Sequence, residues 1–266
     1  MSRAQLLAIT SGKGGVGKTM LSANLAAALT RRGEKVLVLD ADLGLANLDV
    51  ALNLHPRTTL HAVFTGKATL DQAVTEAPGG FQVMLAGSGL VEYSRLTPLV
   101  RDQFALLLDT VRPRYDRVLI DTGAGLSDIV LYAVSLADEV LVITTPEPTA
   151  LADAYATVKV LALQQGRTSM RLVVNQTQRA GEGQHVATQL QAVVRRFVPL
   201  VDGAAVVLQP LGEIRQDAAV RQSVQKRQLL LLACPGSTAA QDIDALAGRL
   251  MAATAGDAAA GLQSGP

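Results

Sequence analysis

A chain of 266 residues, 49% hydrophobic and 18% charged, has the size and apolar content of one α/β domain. Its 24 basic and 23 acidic residues leave a net charge of +1, which argues against a basic nucleic-acid coat or an acidic tail. One cysteine, Cys234, excludes an internal disulfide framework and a cysteine-built metal or iron–sulfur site within one subunit. Aromatics are 3%, so the core must be aliphatic. No secretory pattern opens the chain, its apolar runs are too short to span a bilayer, and it reads as cytoplasmic.

Short apolar runs alternate with helical periods. Residues 6–10 predict a strand, 19–32 a helix stopped by Gly33, and 35–39 a second strand ending at Asp40. Residues 81–85 predict a strand, and 96–111 a helix with Leu96, Val100, Phe104, Leu107, Leu108 and Val111 on one side. Strands follow at 117–120, 139–144 and 170–175, with helices at 127–135, 149–164 and 185–197 between and after them. Either 206–208 or 197–201 adds another strand, and 238–251 forms a final helix. Residues 1–253 read as one domain and 254–266, rich in Ala and Gly, as a disordered tail.

Several strands are unbroken apolar runs, as in a parallel sheet covered by helices on both faces. Right-handed crossovers bring the strands' C-terminal ends to one edge, where open α/β sheets bind ligands. At that edge stand residues 11–19, Asp40, Asp42, 121–125, 145–148 and Asn175.

The run Gly12-Lys13-Gly14-Gly15-Val16-Gly17-Lys18-Thr19 matches the phosphate-loop pattern in full, between a strand and a helix as that pattern requires. Its glycines let successive N–H groups turn inward around phosphates. Lys18 suits the β- and γ-phosphates and the Thr19 hydroxyl suits Mg²⁺. Lys13 is an additional lysine, either solvated or able to reach phosphates across a dimer interface. Asp40 and Asp121, at strand ends, can hold Mg²⁺ directly or through water. Gly123 and Gly125 give the segment after Asp121 the freedom of a γ-phosphate switch. Asp42 suits positioning of an attacking water, and Asn175 suits an adenine edge or a turn. His55, His61 and His185 lack metal-ligand spacing.

Residues 13–19 form the deviant Walker A motif, and with it the chain resembles the MinD/ParA ATPases, P-loop NTPases with a mostly parallel sheet between helical layers. Asp40-Ala41-Asp42 and Asp121-Thr122-Gly123-Ala124-Gly125 extend the resemblance. Residues 39–50, Thr59-Leu60-His61, 86–89, Gly123 in place of the cell-division paralogue's proline, and 229–240 look most like the flagellar-number regulator branch (FlhG/FleN). The resemblance implies an ATP- and Mg²⁺-dependent homodimer that relaxes on hydrolysis to ADP, a slow timer. It implies Lys13 on the partner's nucleotide, Lys18 on phosphates, Thr19 on the metal, Asp42 as hydrolytic residue, Asp121 as switch and Asn175 on adenine. It also implies a flagellar partner: a signal-recognition-type GTPase, a flagellar master transcription regulator, or a switch-complex protein.

Two family features are weak here. The basic, glutamine-containing segment that stimulates the GTPase has no room before residue 5. The last predicted helix has only Arg249 as a basic residue, so a peripheral site at the inner membrane face or cell pole has little support. The alternatives are division-site placement and DNA or cargo partitioning. Arg195-Arg196 and residues 221–227 are candidate basic patches for the latter, against a near-neutral whole.

Overall fold

The computed structural model describes residues 3–43, 47–87 and 96–263, with residues 254–263 as backbone alone. Its centre is an eight-stranded sheet in the order β3-β4-β2-β5-β1-β6-β7-β8. In chain order these are β1 (Gln5–Thr10), β2 (Val36–Ala41), β3 (Val74–Glu76), β4 (Gln82–Met84), β5 (Arg117–Thr122), β6 (Glu139–Thr144), β7 (Ser169–Thr177) and β8 (Val207–Arg215). All neighbours pair in parallel except the edge pair β3–β4.

Alternate side chains of each strand enter two separate cores, as the period of two requires. Leu6, Ala8, Leu37, Leu39, Val118 and Ile120 meet α5 (Pro98–Val111), α6 (Asp128–Ser135), α7 (Pro148–Gln165) and α8 (Glu182–Phe197). Leu7, Ile9, Val36, Val38 and Leu119 meet α1 (Lys18–Arg31), α2 (Leu48–Leu52), α10 (Leu230–Ala233) and α11 (Thr238–Gln263) on the other face. Both faces are covered, which is why these strands are apolar throughout.

The N-terminal edge of the sheet carries a row of alternating polar partners. Arg117 donates to Glu34 through Nε (2.8 Å) and a terminal nitrogen (3.0 Å), and to Gln5 Oε1 (2.6 Å). Gln5 donates in turn to Glu139, which also accepts from Arg171. The row crosses β2, β5, β1, β6 and β7, and Arg117 is 2% exposed.

The sheet matches the expected doubly covered parallel architecture. Of the two candidates for a late strand, the 206–208 region forms β8, while 197–201 contributes only an isolated bridge at Val201. The short elements α2, α3 (Leu60–Phe64), α4 (Leu70–Ala73), β3, α9 (Ala218–Gln225) and α10 were not foreseen. Residues 254–263, within the segment expected as a disordered tail, are described as backbone. Backbone helix continues to Gln263, and half of residues 252–263 are alanine, the strongest helix former. Among the described residues no helix is long and apolar enough to cross a membrane.

Candidate functional site

The loop between β1 and α1 turns on Gly15 and Gly17, whose φ values of 78° and 99° lie in the left-handed region that favours glycine. Close approach constrains two positions further. A Cβ on Gly12 would stand 2.3 Å from the Asp153 carbonyl oxygen of α7, and one on Gly17 would stand 2.4 Å from Asn175 Nδ2. Gly14 faces Ala124 and Val16 is buried, so the loop lies pinned between α7, β7 and the segment after β5. No side chain caps α1 and no acidic residue occupies its first turn. Its N-terminal N–H groups and the dipole are thus left to an anion.

Two lysines stand at the loop. Lys18 is 8% exposed, and its Nζ donates to Ser11 Oγ at 2.9 Å. Burial lowers its pKa, and the nearby carboxylates of Asp121 and Asp42 oppose that shift. The Ser11 hydroxyl donates to the Lys13 carbonyl at 2.8 Å. Lys13 Nζ pairs with Glu147 Oε2 at 2.6 Å and donates to Thr149 Oγ1 at 2.9 Å, both at the start of α7.

The carboxylates lie where predicted. Asp40 and Asp121 are register partners on β2 and β5 and are almost fully buried. Desolvation, then repulsion from Asp121, raises the Asp40 pKa well above the usual carboxylate range. Its Oδ1 accepts from the Asp42 N–H at 3.2 Å and the Ala86 N–H also lies close enough to favour the ionised form, while Oδ2 is buried without a well-formed hydrogen bond. Asp121 accepts from the hydroxyls of Ser22 (2.8 Å) and Thr19. Burial nevertheless pushes its pKa to about 6. Gly123 lies against the Asp42 carboxyl, and the Gly125 N–H donates to the Ser11 carbonyl at 3.0 Å. The segment after Asp121 is therefore tied to the loop's first residue.

A pH prediction follows from Asp121. The unfolded carboxyl titrates near 3.8 and the folded one near 6, so between those values the folded state holds the extra proton. The stabilisation from this group is complete below the lower value and declines as pH rises to the upper, by about 3 kcal/mol. Urea unfolding of metal-free protein across this range should show a shallower decline for Asp121→Asn. Parallel wild-type and variant curves would contradict it.

Asn175 is buried at the end of β7. Its Nδ2 donates to the Val16 carbonyl at 2.8 Å and its Oδ1 accepts from the Gln176 N–H at 2.9 Å. The expected adenine group is thus engaged as a strut beneath the phosphate loop. Ser11 and Glu147 lie in the strand-end segments expected at this edge, whereas Ser22 is a contact that motif spacing did not single out; a serine one α-helical turn after Lys18 was the available sign for it. Residues 44–46 and 88–89 of the resemblance motifs lie outside the described residues.

The residues fit a Mg–nucleotide. An uncapped helix N-terminus, a buried ammonium and a buried carboxylate oxygen without a well-formed hydrogen bond converge at one strand edge. Among the described residues no three His, Cys, Asp or Glu form a metal cage, so a Mg²⁺ here would share phosphate oxygens with Thr19 and the aspartates.

Sheet order, loop and strand-end carboxylates define a P-loop NTPase of the α/β class. Residues 4–174 match the family model described as an AAA domain, and the chain belongs to this family in its MinD/ParA form. Among curated relatives, the antiactivator FleN of Pseudomonas aeruginosa is 38% identical over 247 residues, covering 93% of this chain and 86% of FleN. The flagellum site-determining protein YlxH of Helicobacter pylori is 33% identical over 249 residues, 93% of this chain and 82% of YlxH. Among solved structures, the cell division ATPase MinD of Pyrococcus furiosus superposes with a TM-score of 0.74 at 26% identity, covering 93% of this chain and 98% of MinD. MinD of Pyrococcus horikoshii, complexed with Mg-ADP, gives 0.73 at 25% identity, covering 93% and 96%.

Proposed function

We propose that this chain is a slow Mg²⁺-dependent ATPase whose ATP-bound form dimerises and regulates flagellar number or placement through a partner protein. The observation that carries the reading is Lys18, buried beside Asp42 and Asp121 at the mouth of an uncapped helix. The Mg-ADP complex of the Pyrococcus horikoshii relative supports nucleotide and metal. The match to FleN and YlxH over 93% of the chain supports the flagellar output over division-site placement.

Bound Mg²⁺ would neutralise phosphate charge, with Thr19 as ligand and Asp40 and Asp121 as direct or water-bridged supports. The backbone of residues 12–19 holds the phosphates, and Lys18 leaves Ser11 to reach them. Asp42 orients the attacking water. Lys13 gives up Glu147 to act across the dimer, and Asn175 serves the adenine side. Asp121, Gly123 and Gly125 transmit the γ-phosphate state, through the Gly125 contact to Ser11. Residues 1–253 form the ATPase unit. The partner is a signal-recognition-type GTPase, a flagellar master regulator or a switch-complex protein, and the site of action is the cytoplasm or the inner membrane face.

Light scattering with ADP and with ATP tests the switch. Wild type should be monomeric with ADP and dimeric with ATP. Asp42→Ala should keep the ATP dimer while turnover falls about 100-fold or more. Identical monomer sizes in all states would overturn the switch. Unchanged flagella on gene deletion would remove the flagellar output alone.

A further inference from the structure

Beside the phosphate loop, on the α1 face of the sheet, two cavities run end to end between α2 and the α9–α10 segment. The first, about 270 Å³, has Met20, Ala23, Val50, Ala51, Val224 and Leu229 as its apolar wall, with Thr19, Asn24, Asn47, Ser223 and Gln228 completing the lining. The second, about 390 Å³, is lined by Leu54, Pro78 and Leu232 among others. Gln228 and Leu229 line both. Along the rim Val50, Val224 and Leu232 are 49%, 56% and 57% exposed, more apolar surface than a short polar helix and its turn need show.

The groove has one sign of charge on its α9 side. Arg221, one turn before Val224, and Lys226 and Arg227, after it, are exposed. None of the three has an ion-pair partner among the described residues, whereas Arg31, Arg32, Arg117 and Arg215 all do. Residues 218–233 contain no acidic side chain. Asp49 is the acidic residue of α2; it lines neither cavity and accepts from the Val50 N–H at 2.7 Å.

We infer that this groove docks an acidic, amphipathic segment of a partner protein. Two apolar side chains of that segment enter the two cavities, and flanking carboxylates meet Arg221, Lys226 and Arg227. Buried apolar anchors carry the affinity and the charged rim sets selectivity. Duplex nucleic acid could satisfy the cations but would leave both apolar cavities unfilled. A second copy packed isologously would bring the same cations to the groove instead of carboxylates. The groove is formed by α1, α2, α9 and α10 with their connecting segments and Pro78, and binding is tested without nucleotide so that its outcome is separate from that of ATP turnover.

The test uses the whole protein as target for a displayed random-peptide library, with Val224→Asp/Arg227→Glu as counter-target. Both positions are exposed, and circular dichroism with thermal unfolding checks that the variant is folded. Peptides retained by wild type should pair Leu, Ile or Phe with Asp or Glu. Synthetic copies should bind the double variant at least about tenfold more weakly, while Arg195→Glu/Arg196→Glu leaves binding unchanged. Equal recovery on wild type and counter-target would overturn the inference, as would selected peptides without acidic residues. Duplex DNA binding that Val224→Asp leaves intact and Arg227→Glu abolishes would reassign the face to nucleic acid. An ATP-dependent dimer lost in Val224→Asp would reassign it to a second copy.

Discussion

Replacing Lys18 by alanine is expected to slow ATP turnover about 10²–10³-fold, measured as phosphate release at saturating Mg–ATP. The ammonium is already desolvated, so its field on a phosphate is little screened by water. Its lowered pKa also means that burial costs the nucleotide-free fold something, which a bound phosphate would relieve. The Lys18→Ala protein should therefore be no less stable than wild type without nucleotide. Lys18→Arg should fail as well, because the wider guanidinium cannot occupy the place at Ser11. Turnover within threefold of wild type would contradict the assignment. Activity and unfolding temperature falling together would recast Lys18 as structural.

The second large effect lies at the opposite edge of the sheet. Arg117→Met should lower unfolding free energy by about 3–5 kcal/mol in urea titration, because Glu34 loses its bidentate partner at a largely buried position. Adding Glu34→Gln to Arg117→Met should recover part of that loss, since no uncompensated charge remains. A single-variant loss below about 1 kcal/mol would show that solvent already screens the pair. The loss should leave ATP affinity of the folded fraction unchanged, as the row faces away from the loop.

Strand and helix identities in the sheet were largely legible, because strands buried on both faces leave unbroken apolar runs such as residues 36–39 and 140–143. Their lateral order was not. Residues 74–76 are too short and too polar to declare an antiparallel edge, and only pairing to β4 makes them a strand. The helices α9 and α10 were hidden by their length: α9 spans eight residues and α10 four, too few turns for the apolar positions Ala219, Val220 and Val224 to stand out as a period in the sequence. The loop, Thr19 and the aspartates were legible from motif and strand ends. Contacts set by tertiary approach were not. Asn175 reaches Val16 across 159 positions, and Lys13 reaches Glu147 across 134. No local pattern records such pairings.

The contact between Gly12 and α7 carries a further consequence. The helix touches the loop twice, through the Asp153 carbonyl at Gly12 and through Glu147 and Thr149 at Lys13. Two attachments fix an angle where one would fix only a distance. A displacement of α7 is thus felt at the loop directly at Gly12, backbone against backbone, and at a second point for as long as Lys13 holds Glu147. A protein that grips this helix would gain leverage over the loop without entering the site, and the gearing would run equally well in reverse.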